Sequence, residues 1–342
     1  MNRLKVFLQY PDKKSLFKIV KEVIILAFRK KEIPFYYFKY LFRKDVVNYL
    51  DYLGLREQSK LQHHYSLHNP DYVSIITNKL YFSLLVKTTT INVSKLICYN
   101  LKSVFFYNNK VIRINNKEEL LLLMKNIFEE ECIESLFFRP PLNYGGKGCF
   151  KLSKASLSYD KLQEVYETLI TGDFLHNKVI SQHNLINKIH SKSINTLRII
   201  TLITSDNKTE IVSAVMRFGV GNSVVDNASS GGFFVGINLD TGILKKFGHF
   251  LPEYGGGKIT EHPDSNFVLE GFKIPFYKEA CKCAIDAVNV IPDRLIGWDI
   301  AITPSGPIVI EANATPHINL SDIAYGGLLK NKHIKKVLEE LS

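Results

Sequence analysis

Apolar and polar positions along the first 60 residues repeat at the spacing of a helix. Pro34 interrupts the pattern, and an aromatic run at 35–38 follows it beside basic residues. The pattern predicts helices across residues 12–60. The aromatic and basic segment suits the packed inner face of a helical cap, or a surface that stacks on bases or meets a membrane. The apolar positions at helical spacing are Leu16, Val20, Val23 and Ala27.

Residues 71–130 combine helical and strand-like patterns. Apolar residues at helical spacing predict helices at 79–87 and 117–128. Two short apolar runs between them predict strands at 96–99 and 104–107. Together these elements predict a small α/β unit.

A glycine-rich loop lies between two predicted strands, 136–139 and 149–152. Free backbone N–H groups of such a loop could close over phosphates, and Lys147 adds positive charge. The loop is not a Walker A motif, because no Gly-Lys-Ser/Thr is present and no helix follows directly. A helix and a strand at 178–182 would complete a small lid-like unit. The alternative is an ordinary glycine-rich turn.

Two further strands are predicted on either side of the polar turn 205–208. Pairing Thr204 with Thr209 makes Arg198 and Arg217 diagonal neighbours on one sheet face. Like charges so placed repel each other, which favours an anion such as phosphate or carboxylate between them. The alternative is that each arginine pairs with a local acid.

A hairpin near the C-terminus brings acidic groups together. Two apolar runs flank the turn 304–306, whose sequence is Pro-Ser-Gly, and this predicts a three-residue loop. The loop sets Asp299 opposite Glu311, and the strand period of two puts Asn313 on the same face. Two carboxylates would repel there unless a cation lies between them, and oxygen-only ligands suit Mg²⁺. The alternative is an exposed strand face with its charges in water.

Composition narrows the class of protein. Of the 342 residues, 46% are hydrophobic and 12% aromatic, which favours a packed protein over a disordered one. Five cysteines without a Cys-x-x-Cys pair predict neither a disulfide framework nor a zinc site. Apolar runs fall short of the roughly 18 residues that span a bilayer, and we identify no signal peptide. We therefore expect a cytoplasmic protein.

The net charge of +11 is concentrated at the N-terminal end. Residues 1–60 carry 14 lysines and arginines against six acids. Such a segment could face nucleic acid, anionic lipid or a phosphorylated substrate. It could equally be a solvated basic face with no partner.

Five motifs in a fixed order resemble the ATP-grasp superfamily, in its sugar-transfer-associated branch, which is also similar to the glutamate-ligase-like proteins. The order is a strand ending in Arg-Pro, a Gly-Gly-Lys-Gly loop, a lid helix, a strand leading into a hinge, and an Asp…Glu-x-Asn hairpin. The closest matches are Asn195-Thr196-Leu197-Arg198, Arg217-Phe218-Gly219, Asp226-Asn227-x-x-Ser230-Gly231-Gly232 and Gly297-x-Asp299…Glu311-Ala312-Asn313.

The resemblance implies an α+β protein with the ATP-grasp fold, in which two α+β subdomains clasp ATP, preceded by a helical, basic N-terminal extension. It implies four parts. These are the basic helical region 1–70, a small α/β unit at 71–132, a lid subdomain at 133–190 and a C-terminal subdomain with the metal site at 191–342.

The resemblance also implies roles for individual residues. Arg198 and Arg217 would be catalytic, because they would stabilise the transferring phosphoryl group. Asp299, Glu311 and Asn313 would hold Mg²⁺, or Mn²⁺ in its place. The nucleotide-binding residues would be Lys79, Arg139 (where the family usually has lysine), Gly145, Gly146, Lys147 and Gly148 at the phosphates, and Gln182, His183 and Leu185 in an adenine hinge at 180–185.

The implied activity is that of an ADP-forming ligase, which joins a carboxylate to an amine or related nucleophile through an acylphosphate. The expected substrate is a sugar or glycan precursor in surface polysaccharide biosynthesis. One alternative is a kinase of the same fold that phosphorylates a sugar hydroxyl. Another is a non-catalytic basic protein that docks on a membrane or on nucleic acid. Residues 1–60 could contact the anionic inner membrane surface, and the metal-ligand set disfavours a nucleic-acid-binding role.

Overall fold

The structure is a computed structural model that describes residues 3–143 and 145–341. It divides into two compact units. One is built from residues up to Ser74 together with residues from Gln182 onward, and we call it the discontinuous unit. The other, Ile75–Ser181, is the continuous unit. Each unit combines helices with an antiparallel sheet, which confirms the predicted α+β class.

Helices in the described residues form at the N-terminal end, around the glycine loop and near the C-terminus. They are α1 (Arg3–Gln9), α2 (Leu16–Lys30), α3 (Leu55–His63), α4 (Pro70–Thr77), α5 (Lys79–Val86), α6 (Lys117–Glu130), α7 (Tyr159–Thr171), α8 (Asn184–Asn187), α9 (Tyr277–Val288), α10 (Ile318–Tyr325) and α11 (Lys332–Glu340).

The described strands belong to two sheets. They are β1 (Leu96–Leu101), β2 (Val104–Tyr107), β3 (Lys110–Arg113), β4 (Ser135–Arg139), β5 (Phe150–Ser153), β6 (Asp173–Lys178), β7 (Thr196–Ile203), β8 (Thr209–Phe218), β9 (Phe233–Ile237), β10 (Leu244–Phe250), β11 (Lys258–Ile259), β12 (Leu295–Thr303) and β13 (Gly306–Asn313).

The continuous unit has a six-stranded sheet in the order β3-β2-β1-β6-β4-β5. Strands from 71–132 and from 133–190 lie side by side in it, so these segments share one sheet and one core. Its helices begin at polar caps, such as the Asn116 side chain, which accepts from Glu119 N–H at the start of α6. The division of the chain into four functional parts stays a prediction.

The discontinuous unit has a seven-stranded sheet in the order β11-β10-β9-β8-β7-β12-β13. Helix α9 lies against β7, β8, β12 and β13, and α10 lies against β8, β9 and β10. The predicted helical N-terminal region is confirmed, and it packs into this unit. Leu53 and Leu61 share a core with Ile200 and Ile334, although Leu53 and Ile334 lie 281 residues apart in the sequence.

Both predicted hairpins form, but their turns differ from prediction by one residue. Thr303 pairs with Gly306, so the C-terminal loop has two residues rather than three. A bulge at Ile310 then restores the predicted pairing of Asp299 with Glu311. In the β7–β8 hairpin Ile203, rather than Thr204, pairs with Thr209, and a bulge at Val212 restores the predicted pairing of Arg198 with Val215.

One local prediction is wrong, and one helix has an unexpected pattern of burial. The strand predicted at 178–182 is instead β6, which ends at Lys178, because the ladder with β1 and β4 stops there. The apolar stripe of α2 is not one buried face. This helix buries Ile19, Glu22 and Leu26, while Leu16 and Val20 are exposed. Within the described residues, no helix has the length and apolar composition that crossing a bilayer requires.

Candidate metal and nucleotide-binding residues

One face of the discontinuous unit's sheet carries a row of charged side chains across four strands. Arg198 on β7 pairs with Val215 on one side and with Asp299 on the other. Asp299 on β12 pairs in turn with Glu311 on β13. Because side chains alternate along a strand, Asn313 follows Glu311 on the same face. We call this row, together with Arg217 and its partners, the charged face.

The anion between the two arginines is the Asp299 carboxylate. Arg198 donates to it through Nε and Nη2, and Arg217 donates from Nη2 to Oδ2 at 2.9 Å. The alternative of pairing with an acid of the chain therefore holds, because Asp299 supplies the carboxylate that lies between the arginines. Burial alone would raise the pKa of Asp299, but the two guanidinium groups hold that pKa well below its usual range.

Arg217 has a second acidic neighbour that the sequence analysis did not assign. Its Nε lies 3.4 Å from Oδ2 of Asp226, and it donates to Oγ1 of Thr196 at 3.0 Å. Thr196 N–H donates to the same Asp226 oxygen at 2.8 Å. Burial raises the pKa of Asp226, and the charge of Arg217 offsets part of that rise. The sequence did draw attention to Asp226, because this residue begins the Asp-Asn-x-x-Ser-Gly-Gly motif that resembles the family.

The metal-ligand candidates meet at the edge of the charged face. Asp299 is 2% exposed and lies within hydrogen-bonding reach of the Glu311 side chain. Glu311 and Asn313 are half-buried. Two carboxylates this close need a proton or a cation between them, and carboxylate and amide oxygens are the donors that Mg²⁺ prefers. The residue set therefore fits Mg²⁺.

Gly297 keeps this face open. It lies opposite Asn313, and its amide oxygen accepts from Asn313 Nδ2 at 3.4 Å. A Cβ at this position would lie 2.6 Å from Cβ of Pro316 and 3.1 Å from Cδ of Arg198. A side chain here would displace either the ring of Pro316 or the stem of the arginine, which explains a glycine in the middle of a buried strand.

The glycine loop in the continuous unit has the backbone that its sequence predicts. Gly145, Gly146 and Gly148 have φ angles of 68°, 74° and 77°, a region that residues with a side chain seldom occupy. Asn143 Nδ2 donates to the Lys147 carbonyl at 3.3 Å across the loop. Tyr144 of the predicted motif lies outside the described residues.

Lys79 and Arg139 lie in the same unit as the glycine loop but differ in setting. Lys79 Nζ donates to the carbonyl of Asn143 at 2.7 Å, so this half-buried lysine contacts the residue where the loop begins. Arg139 is 5% exposed, and its Nε donates to Oδ1 of Asn177 at 2.9 Å. The structure thus brings Lys79 to the loop and holds Arg139 within the sheet. Their binding roles stay predictions.

The segment predicted as the adenine hinge is held by the Gln182 side chain. Its Nε2 donates to the His190 carbonyl at 2.9 Å, and its Oε1 accepts from Asn195 N–H at 2.6 Å. His183 Nδ1 accepts from Leu185 N–H at 3.2 Å and so caps α8. The side chain of Gln182 is therefore committed to structure, and a hinge role for 180–185 would rest on backbone groups.

A second cluster that could hold a metal ion consists of His190, His262 and Asp264. Nδ1 of His190 lies 3.6 Å from the Asp264 carboxylate, and the two imidazole rings stack. However, His262 Nδ1 accepts from Asp264 N–H at 3.1 Å, and its Nε2 lies 3.0 Å from the Gly219 carbonyl. Because both ring nitrogens of His262 have partners, we interpret the cluster as a brace between loops.

A cleft of about 570 Å³ opens in the discontinuous unit next to the strand that carries Asn313. Helix α3 forms part of its wall, and Gln62 Nε2 donates to the Pro316 carbonyl at 2.8 Å. Loss of hydration and the charges of Arg198 and Arg217 lower the pKa of His317, which lines the cleft. The charges of the two arginines in the charged face therefore act on a side chain that lines the cleft. Its other lining groups are Lys39, Gln58, His63, Ser229, Leu251, Pro252, Glu253, Tyr254, Thr315 and Asn319.

The family of the chain follows from a match to one family model. A model described as sugar-transfer associated ATP-grasp matches residues 145–337, more than half of the 342 residues. The chain belongs to the sugar-transfer-associated ATP-grasp family. The matched region begins at the glycine loop and includes the whole charged face, so the family prediction is confirmed.

Several solved structures are similar to this ATP-grasp chain. D-alanyl-alanine synthetase A from Vibrio cholerae is 13% identical, with 83% of this chain and 73% of that chain covered and a TM-score of 0.47. The ATP-grasp ligase PsnB, complexed with a minimal precursor, is 12% identical, with 80% and 62% covered and a TM-score of 0.43. The D-alanine-D-alanine ligase from Coxiella burnetii is 11% identical, with 83% and 67% covered and a TM-score of 0.44.

The ATP-grasp chain is shorter than some of these proteins. It spans 60–62% of the length of the PsnB structures. No curated protein matches the sequence.

Proposed function

We propose that this ATP-grasp protein is an ATP- and Mg²⁺-dependent, ADP-forming ligase that joins a carboxylate to an amine or a related nucleophile. The observation that carries the proposal is the charged face, where Asp299 lies within hydrogen-bonding reach of Glu311 beside two buried arginines. Membership of the ATP-grasp family supports the choice of ATP as the nucleotide.

The charge balance of the face supports a cation rather than an anion as its ligand. Arg198 and Arg217 carry two positive charges, while Asp226, Asp299 and Glu311 carry three negative charges when ionised. Glu311 and Asn313 would hold Mg²⁺ together with Asp299. When bound, the ion would neutralise charge on the phosphates of ATP.

The arginines would act on both the ligand set and the phosphoryl group. Their hydrogen bonds keep Asp299 ionised and fix its orientation. Because Asp226 and Thr196 hold Arg217 in turn, the guanidinium group is preorganised and needs no rearrangement during the reaction. We propose that its positive charge also favours the negative charge on the transferring phosphoryl oxygens.

We propose that the reaction has two steps, a phosphoryl transfer and then an acyl transfer. A carboxylate oxygen of the substrate attacks the γ-phosphorus of ATP, the bond to the bridging oxygen breaks, and ADP leaves. The amine nitrogen then attacks the acylphosphate carbon, the carbon–oxygen bond to phosphate breaks, and inorganic phosphate leaves with the loss of one amine proton. Positioning and charge neutralisation are sufficient for such a transfer, and no nucleophilic side chain is needed.

The cleft beside the charged face is our candidate for the acceptor site. Amide groups of Gln58, Gln62 and Asn319 and hydroxyl groups of Thr315 and Tyr254 line it. Such groups pair well with the hydroxyls of a sugar ring. This lining, together with the sugar-transfer association in the family's description, supports a sugar or glycan precursor as substrate, in surface polysaccharide biosynthesis.

A thermal-shift experiment with Mg-ATP tests the nucleotide and metal part of the proposal. We expect the wild-type chain to be stabilised as Mg-ATP is raised, and Glu311→Ala to lose most of that response. Glu210→Ala, which removes another half-buried carboxylate of the same sheet, is the matched control and should keep it. An absent response in the wild type would contradict the proposal.

Product analysis tests the reaction class. Incubation with ATP, Mg²⁺ and candidate acid–amine pairs should release ADP and phosphate and yield a product with the mass of the condensed pair. A stable phosphoester would identify a sugar kinase instead. Release of AMP would contradict an ADP-forming ligase.

A further inference from the structure

Helix α2 exposes an apolar stripe on the side that faces away from the protein. Phe17 is 81% exposed, Val20 55%, Ile24 49% and Phe28 80%. Their spacing of three, four and four residues places them along one face of the helix. A contiguous stripe of this kind, unlike scattered exposed apolar residues, marks an interaction surface.

The opposite side of α2 is fixed to the discontinuous unit. Ile19 and Leu26 belong to a buried core with Tyr36, Tyr37 and Phe42. The Ser15 side chain accepts from Lys18 N–H at 3.3 Å and caps the start of the helix. The exposed stripe therefore belongs to an ordered helix, with its orientation set by packing on the other side.

The two acidic side chains of segment 13–33 are hydrogen-bonded within the protein. Glu22 is 4% exposed, and its carboxylate accepts from Lys14 Nζ at 2.6 Å and from the Tyr37 hydroxyl at 2.7 Å. Glu32 accepts from the backbone N–H groups of Leu55 and Arg56 at 2.7 and 2.8 Å. Both acids of the segment thus serve the fold rather than the exposed surface.

Four basic side chains of the same segment are exposed. Lys18, Lys21, Arg29 and Lys31 are exposed around the apolar stripe. An apolar centre with a purely basic border is the pattern of a helix that lies in a bilayer interface, with its aromatic side chains among the acyl chains and its cations at anionic headgroups.

We propose that the exposed face of α2 docks the protein on an anionic lipid surface. Phe17 and Phe28 enter the headgroup–acyl boundary, and the basic border pairs with lipid phosphates. The helix lies along the surface and does not cross it. The proposal goes beyond the ligase function and does not depend on it, because neither the charged face nor the cleft contributes to this surface.

The charge pattern favours lipid over a second copy of the chain. A symmetric contact through α2 would bring two basic borders together, and both acids of segment 13–33 are already hydrogen-bonded within their own chain. An anionic bilayer supplies the opposite charge along the whole stripe.

Vesicle co-sedimentation of the full chain tests the proposal. We expect binding to vesicles of phosphatidylcholine mixed with phosphatidylglycerol, and weak binding to phosphatidylcholine alone. Phe17→Ser with Phe28→Ser should weaken binding about tenfold or more, since each removes an aromatic ring from the interface. In low salt, Lys18→Gln with Lys21→Gln should weaken vesicle binding less than the phenylalanine variant does. In high salt, which screens the charges, this lysine variant and the wild type should bind vesicles about equally.

A matched control is Tyr65→Ser, which removes another highly exposed ring outside the stripe and should leave vesicle binding unchanged. Thermal unfolding with and without Mg-ATP checks that the variants remain folded, independently of lipid. Equal binding by wild type and the double phenylalanine variant would overturn the proposal. So would lipid-independent dimerisation that the same substitutions abolish, because the stripe would then be a self-interface.

Discussion

Arg217 donates from Nη2 to Oδ2 of Asp299 at 2.9 Å, although β7 lies between the strands that carry them. The guanidinium group therefore spans one strand to reach a carboxylate that Arg198 already holds. All three side chains are nearly buried, so they are held in a medium where an unpaired charge is costly. These three side chains form a buried triad that the fold requires. The binding of a ligand at the charged face can therefore be tested separately, at Glu311.

Asp299→Asn should destabilise the protein strongly. The substitution leaves two buried arginines without their shared carboxylate, and breaking such a pair costs about 3–5 kcal/mol. Glu311→Gln should lower the free energy of unfolding by less than Asp299→Asn does, since Glu311 is half-buried, whereas Asp299 is 2% exposed and accepts from both arginines.

Urea denaturation measures both changes, and titration with Mg-ATP measures binding in the folded proteins. We expect Glu311→Gln to stay stable and lose nucleotide-dependent stabilisation. Equal destabilisation by the two substitutions would show that Glu311 belongs to the structural triad rather than to a ligand site.

Gly232→Ala should destabilise the loop that carries Asp226. A Cβ there would lie 2.6, 2.8 and 3.0 Å from the backbone oxygens of Phe218, Asp226 and Asn227, none of which can rotate away. We expect a loss of about 1–3 kcal/mol in the free energy of unfolding.

Gly257→Ala is the control for that substitution. No atom lies within 4 Å of its added Cβ, so its stability should stay within about 1 kcal/mol of wild type. Denaturation curves compare the two variants. If they were equally stable, the tight backbone contact at Gly232 would be contradicted.

Stability should fall as pH rises through the titration of Asp322. Burial raises the pKa of this carboxyl to about 7, and N–H donors from Leu328 and Leu53 offset part of the rise. Between its ordinary value of 3.8 and about 7, the folded state holds a proton that the unfolded state has lost. The stability associated with that proton is full below this window and is lost across it as pH rises.

Asp322→Asn removes the titration and should flatten the pH dependence in that window. Urea unfolding of both proteins at several pH values measures the difference. Parallel profiles for wild type and variant would rule out Asp322 as the titrating group.

Gln62→Ala should impair use of the acceptor more than binding of nucleotide. The variant loses the 2.8 Å hydrogen bond to the Pro316 carbonyl and an amide group that lines the cleft. We expect KM for the acceptor to rise about two- to tenfold, which corresponds to the loss of one hydrogen bond to the acceptor. Lys60→Ala on the same helix loses a 2.8 Å bond to the Leu341 carbonyl, away from the cleft, and is the matched control. Steady-state kinetics with the acceptor identified by product analysis distinguishes them, and a similar rise in KM for both would contradict the acceptor site.

The pairing of Asp299 with Glu311 could be predicted from sequence even though the turn could not. A two-residue loop followed by a one-residue bulge gives the same register beyond the bulge as a three-residue loop. Turn residues alone do not reveal the bulge at Ile310, because a bulge depends on the neighbouring strand. The same compensation occurs in the β7–β8 hairpin.

The partners of the arginines were harder to predict. Periodicity gives the face on which Arg217 lies, but its contact with Asp299 spans a strand and its contact with Asp226 closes a loop. Both contacts depend on the reach of a long side chain in three dimensions. In α2 the pattern was apolar on two sides, and spacing does not say which side the rest of the chain covers.

The discontinuous unit also constrains the order in which the parts of this protein can fold during synthesis. Its core joins Leu53 and Leu61 with Ile334 and Val337, so the first pair waits for partners that are synthesised about 280 residues later. The continuous unit has all of its strands once Lys178 has been synthesised, and it can fold while the ribosome is still working. During that interval Leu53 and Leu61 lack the apolar residues that cover them in the folded protein.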